Sequence, residues 1–150
     1  MRQLRAELSS VIAAAAGTVY GIIADYETGH PRIIPRDFFS DLTVISGGRG
    51  AGMALSVRAA MFGRVRLLRL TVAEPEPGRV LTETDMATGM CTSFTVDPLS
   101  AGECRVTIAT SWTSQPGLAG VFDGWLVPRV LRKIYRQELA LLARVAAEAR

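Results

Sequence analysis

Apolar and polar residues alternate in short runs through most of the chain, broken by glycine and proline, as half-buried strands do; toward the C-terminus the spacing lengthens to that of a helix. Gln3 to Val11 sets Leu4, Ala6 and Leu8 against Arg5, Glu7 and Ser9, which predicts a first strand. Gly17-Thr18 can start a helix carrying Val19, Tyr20, Ile22 and Ile23. The segment Asp25 to Pro31 ends it, because Gly29 tolerates a left-handed turn and Pro31 cannot continue a helix. A second short helical turn fits here. Pro35 to Ile45 reads as the next strand. The cluster Ser46-Gly47-Gly48-Arg49-Gly50-Ala51-Gly52 lacks the lysine and Ser/Thr of a phosphate loop and leads into a strand, so it reads as a hairpin connection.

Two hairpins can be set in register from their turns. A two-residue turn at Phe62-Gly63 places Val57 opposite Leu68, Leu55 opposite Leu70 and Met53 opposite Val72, with Arg58 and Arg69 on the other, solvent face. A turn within Pro98 to Gly102 places Thr92, Phe94 and Val96 opposite Ile108, Val106 and Cys104, and continues that face to Thr110 and Trp112. Between them, Arg79 to Asp85 reads as a strand after the turn Pro75 to Gly78. Parity carried across both turns puts Leu81 and Glu83 inside, a result that a bulge would reverse.

Leu118 to Ala149 predicts a long amphipathic helix. Val127, Leu131, Ile134, Tyr135, Leu139, Leu142, Val145 and Ala149 form one stripe, and Arg129, Arg132, Lys133, Arg136 and Arg144 take the other side. Before Pro128, the apolar residues Leu118, Val121, Phe122 and Trp125 sit at nearly the opposite azimuth. Either the helix bends at Pro128 or two helices meet there, and Gly117, Gly120 and Gly124 make the earlier part a candidate gate. The expected architecture is α+β in one domain over residues 1–150: a strand, one or two short helices, six more strands in hairpins, then the helix. A seven-stranded antiparallel sheet of this kind needs its apolar face covered, and the last helix does so.

Composition narrows the function classes. Hydrophobic residues make up 49% and charged residues 21%, which is globular. The net charge of +3, from 17 basic and 14 acidic residues, is spread along strands and the outer helix face, not gathered into a patch with exposed aromatics, and so argues against nucleic-acid binding. No apolar run is long enough for an integral membrane segment, and Met1 to Ser10 has no signal-peptide core, so a cytoplasmic protein is expected. Cys91 and Cys104 lack metal spacing, lie too far apart in the predicted register to bond, and accompany a single histidine. Free thiols, no metal and no cofactor are expected.

A few residues stand out chemically. Glu138 falls near the middle of the apolar helix stripe, where a carboxylate is costly unless bonded, wet or protonated. Either it is a polar anchor or general acid/base in an apolar pocket, or the helix rolls by about a third of a turn and leaves it at the edge beside an arginine. The roll is preferred. His30, in a loop, reads mainly as a solvated side chain, with proton relay as the alternative. Phe94, Trp112, Trp125 and Tyr135 are candidates to line a pocket. Arg129, Arg132, Lys133 and Arg136 form a basic stripe that reads as a solvated face, with docking to an anionic partner as the sharper reading.

The layout resembles the START-like superfamily, and within it the polyketide cyclase/dehydrase and lipid-transport group. The likeness rests on Ser10 to Tyr20 passing from strand into helix, Asp25-Tyr26 closing it, Pro35 before a strand, Ile45-Ser46-Gly47-Gly48 followed by Gly50 and Gly52, and Glu76-Pro77-Gly78-Arg79. It implies a helix-grip fold, a curved antiparallel sheet wrapped around the long C-terminal helix with a cavity between them. Cyclases of this group use an inward arginine on a central strand. Arg58 and Arg69 point outward in the register above, so that arginine has no match and no catalytic residue is assigned. Only a lining role carries over, to Thr110 and Trp112. The expected function is binding or carriage of a small hydrophobic molecule, a lipid, quinone or polyketide-like compound. Leu55, Val57, Leu70, Phe94, Ile108, Trp112 and Tyr135 would supply contact, and Thr110 and Glu138 would orient a polar end. The alternative is a cyclase/dehydrase-type enzyme in which Glu138, Glu83 or His30 moves protons.

Overall fold

The computed structural model describes residues 2–47 and 49–149. Strand β1 (Gln3–Ile12) is followed by helix α1 (Ala16–Ala24) and a single 3-10 turn at His30–Arg32. Strands β2 (Phe39–Ser46), β3 (Ala54–Met61), β4 (Arg64–Glu76), β5 (Val80–Asp85), β6 (Cys91–Ser100) and β7 (Glu103–Thr113) come next, and helix α2 (Leu118–Glu148) ends the chain. The seven strands form one antiparallel sheet in the order β1-β7-β6-β5-β4-β3-β2. The link through α1 therefore crosses from one edge strand to the other, and the chain meanders back until β7 pairs with β1. This is the α+β helix-grip arrangement, a curved sheet around a long C-terminal helix.

The β3–β4 register is the one its turn dictates: Val57 faces Leu68, Leu55 faces Leu70, and Arg58 and Arg69 are exposed. Phe62 and Gly63 both adopt positive φ, 54° and 72°, the conformation a two-residue hairpin turn requires if its twist is to match that of the strands. The β6–β7 register differs from expectation by two residues: Thr92 faces Thr110, Phe94 faces Ile108, Val96 faces Val106 and Pro98 faces Cys104. Pro98 does not end β6; the strand runs on to Ser100 through an irregularity, and the turn tightens to Ala101-Gly102. A shift of two preserves side-chain parity, so the inner face is unchanged. Cys91 and Cys104 remain free thiols. β2 begins at Phe39 and not at Pro35, because the Pro35 carbonyl accepts the N–H groups of Phe38 and Phe39 and folds residues 35–38 into a turn.

Helix α2 runs unbroken through Pro128. Its C-terminal half buries Leu131, Ile134, Tyr135, Glu138, Leu139, Leu142, Val145 and Ala146 against β1, β7, α1 and the 3-10 turn. Ala146, not Ala149, closes the stripe; Ala149 is exposed and Val127 is half-buried. The facing layer comprises Leu55, Val57, Val72, Leu81, Phe94, Val96, Val106 and Ile108, all buried.

Candidate active site between sheet and helix

Among the described residues, a cluster of titratable groups in the interior is assembled by the turn after α1. Asp25 ends α1, and its side chain accepts the N–H groups of Glu27 and Thr28 and the Thr28 hydroxyl, which holds its carboxyl below the ordinary range. The Asp25 carbonyl then accepts from both Gly29 N–H and His30 N–H, at 3.0 and 2.7 Å, and the chain doubles back on α1. Gly29 is needed for that approach, since a Cβ there would stand 2.6 Å from the Ile22 carbonyl oxygen. The reversal directs Tyr26 and His30 inward. Their rings stack at 4.2 Å, and Phe94 meets the imidazole edge-on at 5.5 Å.

His30 is buried, which corrects the reading of it as a solvated loop side chain. Its Nδ1 lies 2.7 Å from the Ile23 carbonyl oxygen. A carbonyl only accepts, so Nδ1 carries a hydrogen and Nε2 faces the sheet. There it meets Glu83 Oε1 at 3.3 Å and Glu138 Oε1 at 4.0 Å. Tyr26 donates its hydroxyl to the same Glu83 oxygen at 2.5 Å. Glu83 is thus an inward carboxylate, as strand parity indicates, and the irregularity between Ala73 and Glu76 in the β4–β5 pairing lies beyond the point where it would reverse the face.

Glu138 is 6% exposed, so the helix is not rolled to bring it to the edge beside an arginine. The reason lies in its neighbours: His30 and Glu83 place polar atoms opposite this one turn of α2, and a roll would expose Ile134 and Leu142. Burial, then the nearby Glu83 charge, pushes the Glu138 carboxyl well above the ordinary glutamate range and favours its neutral form. Among the described residues it makes no hydrogen bond. Burial, and then Glu83, likewise raise the Tyr26 phenol. One turn before Glu138, Tyr135 donates to Thr110 Oγ1, and Thr110 and Thr92 share a hydroxyl hydrogen bond of 2.7 Å. On the strand face that carries Thr110, the buried Trp112 Nε1–H has no partner.

Of the residues expected to line a pocket, Leu55, Val57, Phe94, Ile108, Thr110, Trp112, Tyr135 and Glu138 are buried and Leu70 is half-buried. Trp125 is 57% exposed and lines nothing inside, a correction. Two surface grooves, of about 570 and 430 Å³, lie between α2 and residues 32–37 and beside residues 114–117. Two functional candidates were overlooked. Tyr26 stands four residues before His30, a spacing that should have suggested they act together. Arg66 lies opposite Ala59, on the same strand face as Val57 and Leu68, so an arginine does share the inner-face parity at the exposed end of β4.

Comparison with known proteins gives a consistent picture. No curated protein sequence matches the chain. Among solved structures it is similar to the KanY protein, with 29% identity over 98% of this chain and 99% of that one and a TM-score of 0.83. It also resembles in fold the Zhui aromatase/cyclase of a Streptomyces species, at 15% identity, 97% and 94% coverage and a TM-score of 0.80. A START superfamily protein of Mycobacterium smegmatis shares the fold at 14% identity, 97% and 99% coverage and a TM-score of 0.78. The sequence profile described as polyketide cyclase / dehydrase and lipid transport matches residues 3–147, nearly the whole chain, and the chain belongs to that family.

Proposed function

We propose that this protein binds a small hydrophobic molecule with an oxygen-bearing polar end, held between the inner face of the sheet and the C-terminal half of α2. The observation that carries this reading is Glu138, a buried carboxyl without a hydrogen-bond partner in the middle of an apolar stripe. A ligand hydroxyl or carbonyl would supply the hydrogen bond that Glu138 lacks. The unpartnered Trp112 Nε1–H supports the same reading with a free donor. Apolar contact would come from Leu55, Val57, Leu70, Phe94, Ile108 and Tyr135, with Thr110 as a further polar contact.

Native mass spectrometry of the purified protein, followed by solvent extraction, tests this directly. The expected result is a stoichiometric co-purifying compound, lost in Glu138→Leu and Trp112→Phe variants that still fold. Retention of the compound in both variants, or a protein that is empty and whose melting temperature ignores a panel of hydrophobic alcohols, phenols and acids, would refute it.

A second reading, proton-transfer catalysis of the cyclase/dehydrase type, is favoured by one specific feature. Tyr26 Oη and His30 Nε2 converge on a single oxygen of Glu83, with Glu138 beside them, which is the geometry of an acid–base relay. The aromatase/cyclase named above shares the fold. Here Glu83 or His30 would take a proton from the carbon between two carbonyls, leaving an enolate that is reprotonated or attacks within the bound chain. Solvent deuterium exchange into a bound β-diketone, followed by NMR, would detect the first step. The reading requires exchange above the buffer rate that is lost in Glu83→Gln and His30→Ala.

A further inference from the structure

The N-terminal half of α2 carries an apolar stripe that the fold leaves uncovered. Leu118, Val121, Phe122 and Trp125 recur at the spacing of one helix face and are 89%, 68%, 41% and 57% exposed. Phe122 meets Phe62 edge-on at 5.0 Å, which joins the stripe to the tip of the β3–β4 hairpin. There Phe62 and Val65 are exposed as well. Single exposed apolar residues are ordinary, but large ones gathered along one edge from two separate elements mark a surface that meets something.

The charges around it are mostly positive. Arg64 and Arg66 flank Val65 in β4. The Arg129 guanidinium lies 4.8 Å from the centre of the Trp125 ring and donates to the Trp125 carbonyl. Arg2 reaches across to Gly124, its Nη2 3.5 Å from where a Cβ would stand. None of these four arginines makes an ion pair among the described residues. The acid on this half of the helix, Asp123, already accepts the Gln115 N–H at 3.0 Å.

We propose that this face docks on the surface of an anionic lipid bilayer. Leu118, Val121, Phe122, Trp125 and Phe62 would seat in the interfacial layer, with Arg2, Arg64, Arg66 and Arg129 on lipid phosphates. A tryptophan and phenylalanines set among arginines match the headgroup region, which offers apolar depth and negative charge together. A second copy of the chain fits poorly, because a two-fold contact through this face would set the same unpaired arginines against each other. The docking itself needs no bound compound. It deepens the ligand-binding reading in one respect: it sets the segment Gly117 to Gly124 against a reservoir of hydrophobic molecules.

The test is cosedimentation of the full chain with vesicles of phosphatidylcholine alone and of phosphatidylcholine mixed with phosphatidylglycerol, with no other ligand present. Partition is expected only onto the anionic vesicles, weakening as salt is raised. Trp125→Asp, and Arg64→Glu with Arg66→Glu, should each lower it by about tenfold or more. All these positions are exposed, so circular dichroism should show an unchanged fold. Brominated lipid should quench Trp125 and spare the buried Trp112. Absence of partition, equal binding to neutral vesicles, or insensitivity to Trp125→Asp would overturn the proposal. So would a concentration-dependent dimer, or a complex with an acidic protein, that Trp125→Asp dissolves while vesicles are ignored. An extracted compound together with no vesicle binding would overturn docking and leave the ligand-binding reading standing.

Discussion

The two halves of α2 are both amphipathic, yet they meet opposite fates. From Leu131 to Ala146 the apolar stripe lies against β1 and β7 and holds a carboxyl at Glu138; from Leu118 to Trp125 it projects outward with arginines at its edges. Pro128 stands at the changeover, and the apolar azimuth swings to nearly the opposite side across it. The lesson is that an apolar stripe specifies that a helix face seeks cover but not what covers it. In the C-terminal half the sheet does so. On the N-terminal side of Pro128 the stripe projects outward, and Phe122 meets Phe62 edge-on.

The sharpest way to break this contrast is truncation of matched leucines. Leu142 is fully buried, and Leu142→Ala should cost about 2–5 kcal/mol in urea denaturation. Leu118 is 89% exposed, and Leu118→Ser should stay within about 0.5 kcal/mol. Comparable losses at both sites would mean that the N-terminal half is packed against the protein in solution.

Next in size is the pH dependence that Glu138 imposes. Its folded-state carboxyl titrates above the ordinary value of 4.5, so the native state binds more protons than the unfolded chain between that pH and the raised value. This contribution to stability is complete below the ordinary value and is lost as pH rises through the window. Each unit of elevation amounts to about 1.4 kcal/mol. Glu138→Gln should therefore flatten the stability profile and make the protein more stable relative to the parent at pH about 8 than at pH about 4. Melting curves across pH check the sign, and a variant that loses more stability at high pH than at low would contradict it. A smaller effect, about 1 kcal/mol, is expected for Tyr135→Phe, which removes the hydroxyl that bonds Thr110. A double-mutant cycle with Thr110→Val should then show coupling between the two positions.

Much of the fold is legible from local rules. The Phe62-Gly63 turn is short enough to determine the β3–β4 pairing by itself, because both residues take the positive φ that the turn demands. The β6–β7 pairing is less legible, since Pro98 looks like a terminator and is in fact accommodated at an irregularity. Parity survived that error, which is why Thr110 and Trp112 fall on the inner face in either register. The titratable cluster was the least legible part. His30 and Glu83 are far apart in sequence, and only the chain reversal at Gly29 brings the imidazole under β5. Without those neighbours in view, burying Glu138 reads as too costly, and a roll of the helix as the cheaper solution. The neutral form of the carboxyl removes much of the cost. The exposed stripe before Pro128 was visible as a change of azimuth, but the pattern alone could not tell exposure from a gate packed inward.

The central claim is that Glu138 is a buried carboxyl, titrating above the ordinary range and without a hydrogen bond, that is available to a ligand. Carbon-detected NMR titration of the Glu83 and Glu138 side-chain carboxyls, alone and with naphthol or decanoate as probes, tests it most directly. The account predicts that Glu138 titrates above the ordinary glutamate range in the free protein. Its carboxyl resonance and the Trp112 indole N–H should then move together, saturably, with at least one probe. A Glu138 that titrates like a surface glutamate, with neither resonance responding to either probe, would contradict it.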